Sequence, residues 1–168
     1  MVSENETTIK LLSSDDQTFE TSLAAAKVSS LVSSAINEED DESETIPLPL
    51  VTSKNLQKVI EFCEHYIADP MNDIDTPIQS SEMSDIVQEW YSNFITPLKD
   101  DQRALFEIIL AANYMEVSPL LELGCAACAS MMRGRTAEEI REKFNITNDL
   151  TEEEVQDIIK KNVWTEEP

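Results

Sequence analysis

Leu105-Phe106-Glu107-Ile108-Ile109-Leu110-Ala111-Ala112-Asn113-Tyr114 is the stretch that decides the fold of this chain. Leu105, Ile108, Ile109, Ala112 and the following Met115 fall on one helical stripe, and Phe106 and Leu110 widen it. A helix with so broad an apolar face is expected to be buried on most of its circumference, as the central core helix. Pro119 suits the first turn of the next helix, which runs through Leu120, Leu121, Leu123, Cys125, Cys128, Met131 and Met132 to a terminating Gly134. Thr136-Ala137-Glu138-Glu139 and Thr151-Glu152-Glu153-Glu154 both match the T-x-x-E capping box, so each opens a short helix with carboxylates at its positive end. The second carries Val155, Ile158 and Ile159 on one face and ends near Trp164.

Upstream, Thr8-Ile9-Lys10-Leu11-Leu12 and Thr18-Phe19-Glu20-Thr21 flank the polar Ser13-Ser14-Asp15-Asp16, which predicts a β-hairpin. Residues 22–36 place Leu23, Ala26, Ser30, Leu31 and Ser33 near helical spacing and predict one helix, though a serine-rich one. Glu38-Glu39-Asp40-Asp41-Glu42-Ser43-Glu44 cannot bury itself and predicts a solvated acidic loop at 38–45. Ile46-Pro47-Leu48-Pro49-Leu50-Val51 is interrupted twice by proline, so any strand there must lie at a sheet edge. Thr52 or Ser53 then caps a helix with Leu56, Val59, Ile60, Cys63 and Ile67 on one stripe, packed against the hairpin. Over 69–89 the periodicity gives way to Asp, Ser, Asn and Pro, an insertion-like flexible loop. Trp90, Tyr91, Phe94 and Ile95 close it with an aromatic cluster expected to dock back on the domain.

The chain has 168 residues, 41% of them apolar, which is enough for one buried core. Only 2 are glycine, which argues against a turn-rich sandwich or barrel and for helices. Its 34 acidic residues against 12 basic ones leave a formal charge of -22, a field that repels phosphate backbones and anionic lipid headgroups. Nucleic acid and membrane are therefore not expected as partners. The polar first residues do not read as a signal peptide, and the longest nearly uncharged stretch, 117–133, contains Glu122 and is shorter than the ~20 apolar residues of a membrane span. The expected location is cytoplasm and nucleus.

Three cysteines in apolar segments suit reduced core thiols better than a disulfide framework. Cys63, His65, Cys125 and Cys128 are the right kinds of ligand for tetrahedral zinc, but at about 100° per residue Cys63 and His65 point roughly 200° apart on one helix. Cys125 and Cys128 share a face with Leu121 and Met132, which makes them members of an apolar stripe. His65 falls on the polar face of its helix and reads as a solvated residue without a nucleophile to serve. The glycine content leaves no phosphate-binding loop. No metal, no cofactor and no catalytic residues are expected.

The C-terminal segment carries more apolar residues than a solvated tail requires: Phe144, Ile146, Leu150, Val155, Ile158, Ile159 and Trp164. Helices this short are not stable alone, so these residues either cap the core or line a groove for a partner. Core and interface helices share one pattern, and periodicity alone does not choose between them.

The run 105–114, then Pro119-Leu120-Leu121, then Met132-Arg133-Gly134-Arg135-Thr136-Ala137-Glu138-Glu139-Ile140-Arg141, and Phe144-Asn145-Ile146-Thr147-Asn148-Asp149-Leu150-Thr151-Glu152-Glu153-Glu154, closely resembles the S-phase-kinase-associated adaptors of SCF ubiquitin ligases. The closing Trp164-Thr165-Glu166-Glu167 agrees, and the first half is similar in plan, with Ile46-Pro47-Leu48-Pro49 and Leu56-Gln57-Lys58-Val59-Ile60-Glu61-Phe62-Cys63. The resemblance implies a mainly helical α/β fold: a BTB/POZ-like domain over 1–132 with a small three-stranded sheet, and C-terminal helices over 133–168 that form an F-box-binding surface. It also implies a non-catalytic adaptor that links F-box proteins to a cullin, with a homodimer through the BTB-like domain as a further arrangement. Asn113 and Tyr114 inherit the cullin contact. Leu121, Cys125, Cys128 and Met132, with Phe144, Ile146, Leu150, Val155, Ile158, Ile159 and Trp164, inherit the grip on the F-box.

Where the family reads Trp-Asp-x-x-Phe-Leu-Lys-Val-Asp-Gln, this chain has Trp90-Tyr91-Ser92-Asn93-Phe94-Ile95-Thr96-Pro97-Leu98-Lys99-Asp100-Asp101-Gln102, three residues longer beside the cullin-facing region. The alternative reading is accordingly a divergent paralogue, a structural or self-assembling scaffold that binds F-box proteins without cullin.

Overall fold

The structure is a computed structural model describing residues 7–36 and 45–162. The acidic run 38–44 and Trp164 lie outside the described residues. Strand β1 (Thr8–Ser13) pairs antiparallel with β2 (Thr18–Ser22) and parallel with β3 (Thr45–Leu48), giving a mixed sheet of order β2-β1-β3. Period-2 alternation turns Ile9, Leu11 and Ser13 inward. Pro47 stands opposite Leu12 on β3, an edge strand, the place where a residue without an N–H breaks no ladder on a far side. The expected hairpin and edge strand are both present.

The predicted single helix at 22–36 is instead two short ones, α1 (Leu23–Ala26) and α2 (Ser30–Ala35). Its serines explain the break, because they serve better as caps than as interior residues. Ser22 Oγ accepts from the Ala25 N–H, and the buried Ser29 Oγ accepts from the Val32 N–H while its hydroxyl donates to the Met115 carbonyl. The break thereby ties α2 to the far end of the core helix.

Helix α3 (Ser53–Ala68) is capped otherwise than the sequence predicts. Thr52 occupies the cap position without a side-chain bond, and the Asp15 carboxylate of the hairpin turn accepts from the Ser53 backbone N–H at 2.7 Å and from its hydroxyl at 2.5 Å. Those bonds hold the Asp15 pKa down from its usual 3.8 to about 2. A lowered carboxylate pKa stabilises the fold above the unfolded value and loses that contribution as pH falls toward the folded one. Asp15→Asn is therefore expected to lower the urea midpoint at neutral pH, with the gap to wild type closing as pH falls from about 4 to about 2. A gap independent of pH would mean that the Asp15 charge contributes nothing.

The stripe of α3 is also rotated from expectation. Leu56, Val59 and Cys63 are buried as predicted, but Ile67 is 38% exposed and Phe62 is fully buried. The cause is the aromatic cluster, which belongs to a helix, α4 (Glu89–Asp100). Phe62 meets the Tyr91 ring edge-on at 5.6 Å and Phe94 at 5.8 Å, which pulls the 59/62/66 side of α3 inward. His65 is accordingly no solvated residue: its ring stacks on Trp90 at 3.7 Å and 9°, with Nε2 3.8 Å from Asp69.

Asp101 caps α5 (Gln102–Tyr114) by accepting from the Ala104 N–H, and α6 (Ser118–Met132) follows with Pro119 in its first turn. Ala104, Leu105, Ile108, Ala111 and Ala112 line the core side of α5. The expectation that α5 is buried on most of its circumference fails, because Phe106 is 41% and Leu110 67% exposed. Gly134 has φ 69, a left-handed value that stops continuation from α6.

The chain divides into two compact units, Met1–Arg133 and Gly134–Pro168. The second holds α7 (Ala137–Phe144) and α8 (Glu152–Lys161), each opened by a complete capping box. The Glu139 carboxylate accepts from the Thr136 N–H at 2.7 Å, and that of Glu154 from the Thr151 N–H at 2.8 Å. Asn145 ends α7 in the left-handed conformation.

Candidate functional site

The outer side of α6 is the first of three places where the singled-out residues gather. Leu121, Cys125, Cys128 and Met132 recur at helical spacing, so turning Leu120, Leu123, Gly124, Ala127 and Met131 into the core leaves these four outward. Cys125 and Met132 are exposed, Leu121 and Cys128 half-buried. Of the three cysteines expected in the core, only Cys63 is buried. Burial, and after it the Glu64 charge, pushes the Cys63 thiol up to about 12. The Cys128 thiol is likewise raised, by burial first and Cys125 second, so it stays protonated and acts as a small apolar group rather than a nucleophile. Among the described residues, no three His, Cys, Asp or Glu side chains are grouped to hold a metal ion.

The second place is the C-terminal unit, where no residue of α7 or α8 is buried. Ile146 is 54%, Leu150 38%, Ile158 47% and Ile159 39% exposed, and Phe144 and Val155 are half-buried. The capping boxes satisfy backbone N–H groups that so short a helix would otherwise leave open, while its apolar side chains face solvent. Within the C-terminal unit itself these apolar side chains have no core to enter, which is the pattern that a partner-binding helix shows.

The third lies at the end of α5. Asn113 is exposed and Tyr114 half-buried. Phe106 and Leu110 share the Asn113 side of the helix at spacings of seven and three residues, an apolar strip the sequence reading assigned to the core. The signal was present: at about 100° per residue these three point opposite to Ile108, Ala111 and Ala112. A wide apolar face is not by itself a buried one.

Residues 7–68 match the family model described as the Skp1 family tetramerisation domain, and residues 118–165 match the Skp1 family dimerisation domain. The chain is 41% identical over 159 residues to the E3 ubiquitin ligase complex SCF subunit sconC of Arthroderma benhamiae, covering 95% of each chain. It is 40% identical over 161 residues to suppressor of kinetochore protein 1 of Schizosaccharomyces pombe, covering 95% of this chain and 98% of that one. It is 41% identical over 159 residues to the SCF ubiquitin ligase complex protein SKP1a of Dictyostelium discoideum, covering 95% of this chain and 96% of the relative.

Proposed function

Because this chain belongs to the Skp1 family, we propose that it is the adaptor subunit of an SCF ubiquitin ligase, holding an F-box substrate receptor on one surface and a cullin on another. It is a non-catalytic component: its contribution to ubiquitin transfer is position, bringing a receptor-bound substrate within reach of chemistry done elsewhere in the complex. The observation that carries the assignment of surfaces is the exposed apolar set of α8 and its preceding segment, Leu150, Ile158 and Ile159, held out by a capped helix. On the first unit, the α6 residues Leu121, Cys125, Cys128 and Met132 are a second outward apolar set of the kind an F-box contacts.

Asn113 and Tyr114, with the neighbouring Phe106 and Leu110, supply the cullin contact. In a complex reconstituted from purified chain, F-box protein and cullin, Asn113→Ala with Tyr114→Ala should weaken cullin capture by about 2 kcal/mol and leave F-box affinity unchanged. Equal loss of both would mean that the substitutions unfold the end of α5 and would sink the separation of surfaces.

The scaffold reading without cullin has one specific observation in its favour. Most of the longer stretch 90–102 is helix α4, whose last turns are held where Thr96 Oγ1 donates to the Ser92 carbonyl at 2.7 Å and Lys99 Nζ to the Ser81 carbonyl at 3.0 Å. Recovery of F-box protein without cullin from the same reconstitution decides for it. The tetramerisation and dimerisation descriptions of the matched family models support self-association as well, which sedimentation of the isolated chain measures. A place in cytoplasm and nucleus fits an adaptor of this kind.

A further inference from the structure

Loop 69–89 lies outside the motifs that carry the family resemblance, yet side chains hold it at several points. Gln88 clamps its start, with Nε2 donating to the Pro70 carbonyl at 3.0 Å and Oε1 accepting from the Asn72 N–H at 3.1 Å. Tyr91 Oη donates to the Asp69 carbonyl, and Arg133, just past the end of α6, donates from Nη1 to the Ile78 carbonyl at 2.8 Å. The flexible loop read from composition is therefore tethered, and a tethered loop offers its side chains without a large ordering cost.

Between this loop and the outer side of α6 lies an open cleft of about 530 Å³. Ile74 and Ile78 stand on the loop side, Ala126 and Ala129 on the helix side, and Asp73 and Glu122 add two carboxylates. The small side chains at 126 and 129 keep the cleft open, because longer ones would fill it. Cys125 belongs both to this cleft and to the α6 surface assigned above to the F-box, so the two are continuous.

We propose that this cleft takes a large apolar side chain of the bound F-box protein, flanked in that partner by Lys or Arg, and that Ile74 and Ile78 set which F-box proteins the chain prefers. The proposal rests on the F-box reading of α6. An apolar anchor seated in a cleft is where interface energy concentrates, and the walls of a cleft discriminate between side chains differing by one or two methylenes. The carboxylates favour a basic neighbour to that anchor and disfavour an acidic one. A second copy of this chain, at a formal charge of -22, is a poor occupant for the same reason.

Calorimetric titration of the full chain with two recombinant F-box domains tests this, one whose native flanking segment carries a Leu or Phe beside Lys or Arg and one whose flank lacks that pair. Ile74→Ser with Ile78→Ser, and separately Ala129→Phe, which fills the cleft from the helix, should each weaken the first domain about tenfold and leave the second unchanged, with Tm held. Wild-type affinity for both domains in both variants overturns the cleft while leaving the F-box reading intact. Failure of the unaltered chain to bind either domain overturns both. A shift in the sedimentation of the isolated chain, with F-box affinity unaltered, assigns the cleft to a second copy and also overturns the proposal.

Discussion

Ile158→Asp combined with Ile159→Asp should abolish F-box binding, a loss of about 4 kcal/mol or roughly a thousandfold in affinity, while leaving the melting temperature nearly unchanged. The two halves of that expectation have separate causes. On the free chain Ile158 is 47% and Ile159 39% exposed, so an aspartate at either position keeps its water and no core is opened. On binding, both positions would be desolvated against an apolar partner, and an unpaired carboxylate in such a place costs several kcal/mol. Helix α8 carries Glu152, Glu153 and Glu154 in its first turn and Lys160 and Lys161 in its last, which suits its macrodipole, and two added carboxylates near the C-terminal end cost about 1 kcal/mol together. Titration of an F-box protein together with thermal unfolding measures both quantities. Retained affinity would remove α8 from the interface; a large fall in Tm would show that these isoleucines hold the unit together.

The parts of this architecture that local chemistry dictates were legible in the sequence. Thr136 and Glu139, like Thr151 and Glu154, sit three residues apart because a helix N-terminus needs those two bonds, and both boxes form. Pro47 placed its strand at an edge because it cannot donate. What stayed hidden depends on contacts distant in sequence. The cap on α3 comes from Asp15, 38 residues away, and Phe62 rather than Ile67 is buried because α4 docks on that side. His65 falls on the polar face of its own helix by spacing, whereas its environment is set by Trp90.

The residues proposed for docking divide in the same way. Asn113, Leu121 and Ile158 come from the family resemblance, because periodicity does not separate a helix face that is covered from one that waits for a partner. Phe106 and Leu110 show the consequence: their apolar character is visible in the sequence, and only the fold shows that, among the described residues, nothing buries them fully. Ile74 and Ile78 lay in a stretch without period, where no sequence rule assigns a face, and the bonds from Gln88 and Arg133 that place the loop join residues up to 55 apart.

Gly124→Val is expected to destabilise the chain by about 3 kcal/mol, a fall in Tm of roughly 6 to 12 °C, and to weaken F-box binding with it. Gly124 is buried on α6 facing α5, and a Cβ placed on it would stand 2.5 Å from Ile109 Cγ1 and 3.2 Å from its Cδ1. Ile109 cannot swing clear cheaply, since a β-branched side chain in a helix is confined to one χ1 well, so the two helices must separate. Glycine is otherwise the poorer helix former by up to about 1 kcal/mol, so its presence mid-helix is offset by this close approach. The remedy identifies the cause. Ile109→Ala removes both offending carbons and costs about 2 kcal/mol by itself, yet in the Gly124→Val background it should restore stability, giving a coupling of about 2 kcal/mol in a double-mutant cycle. Strict additivity of the two changes would refute the contact. Because Cys125 is the next residue on α6 and Cys128 stands one turn further on, a displaced α6 moves them too, and F-box affinity should recover in the double variant along with stability.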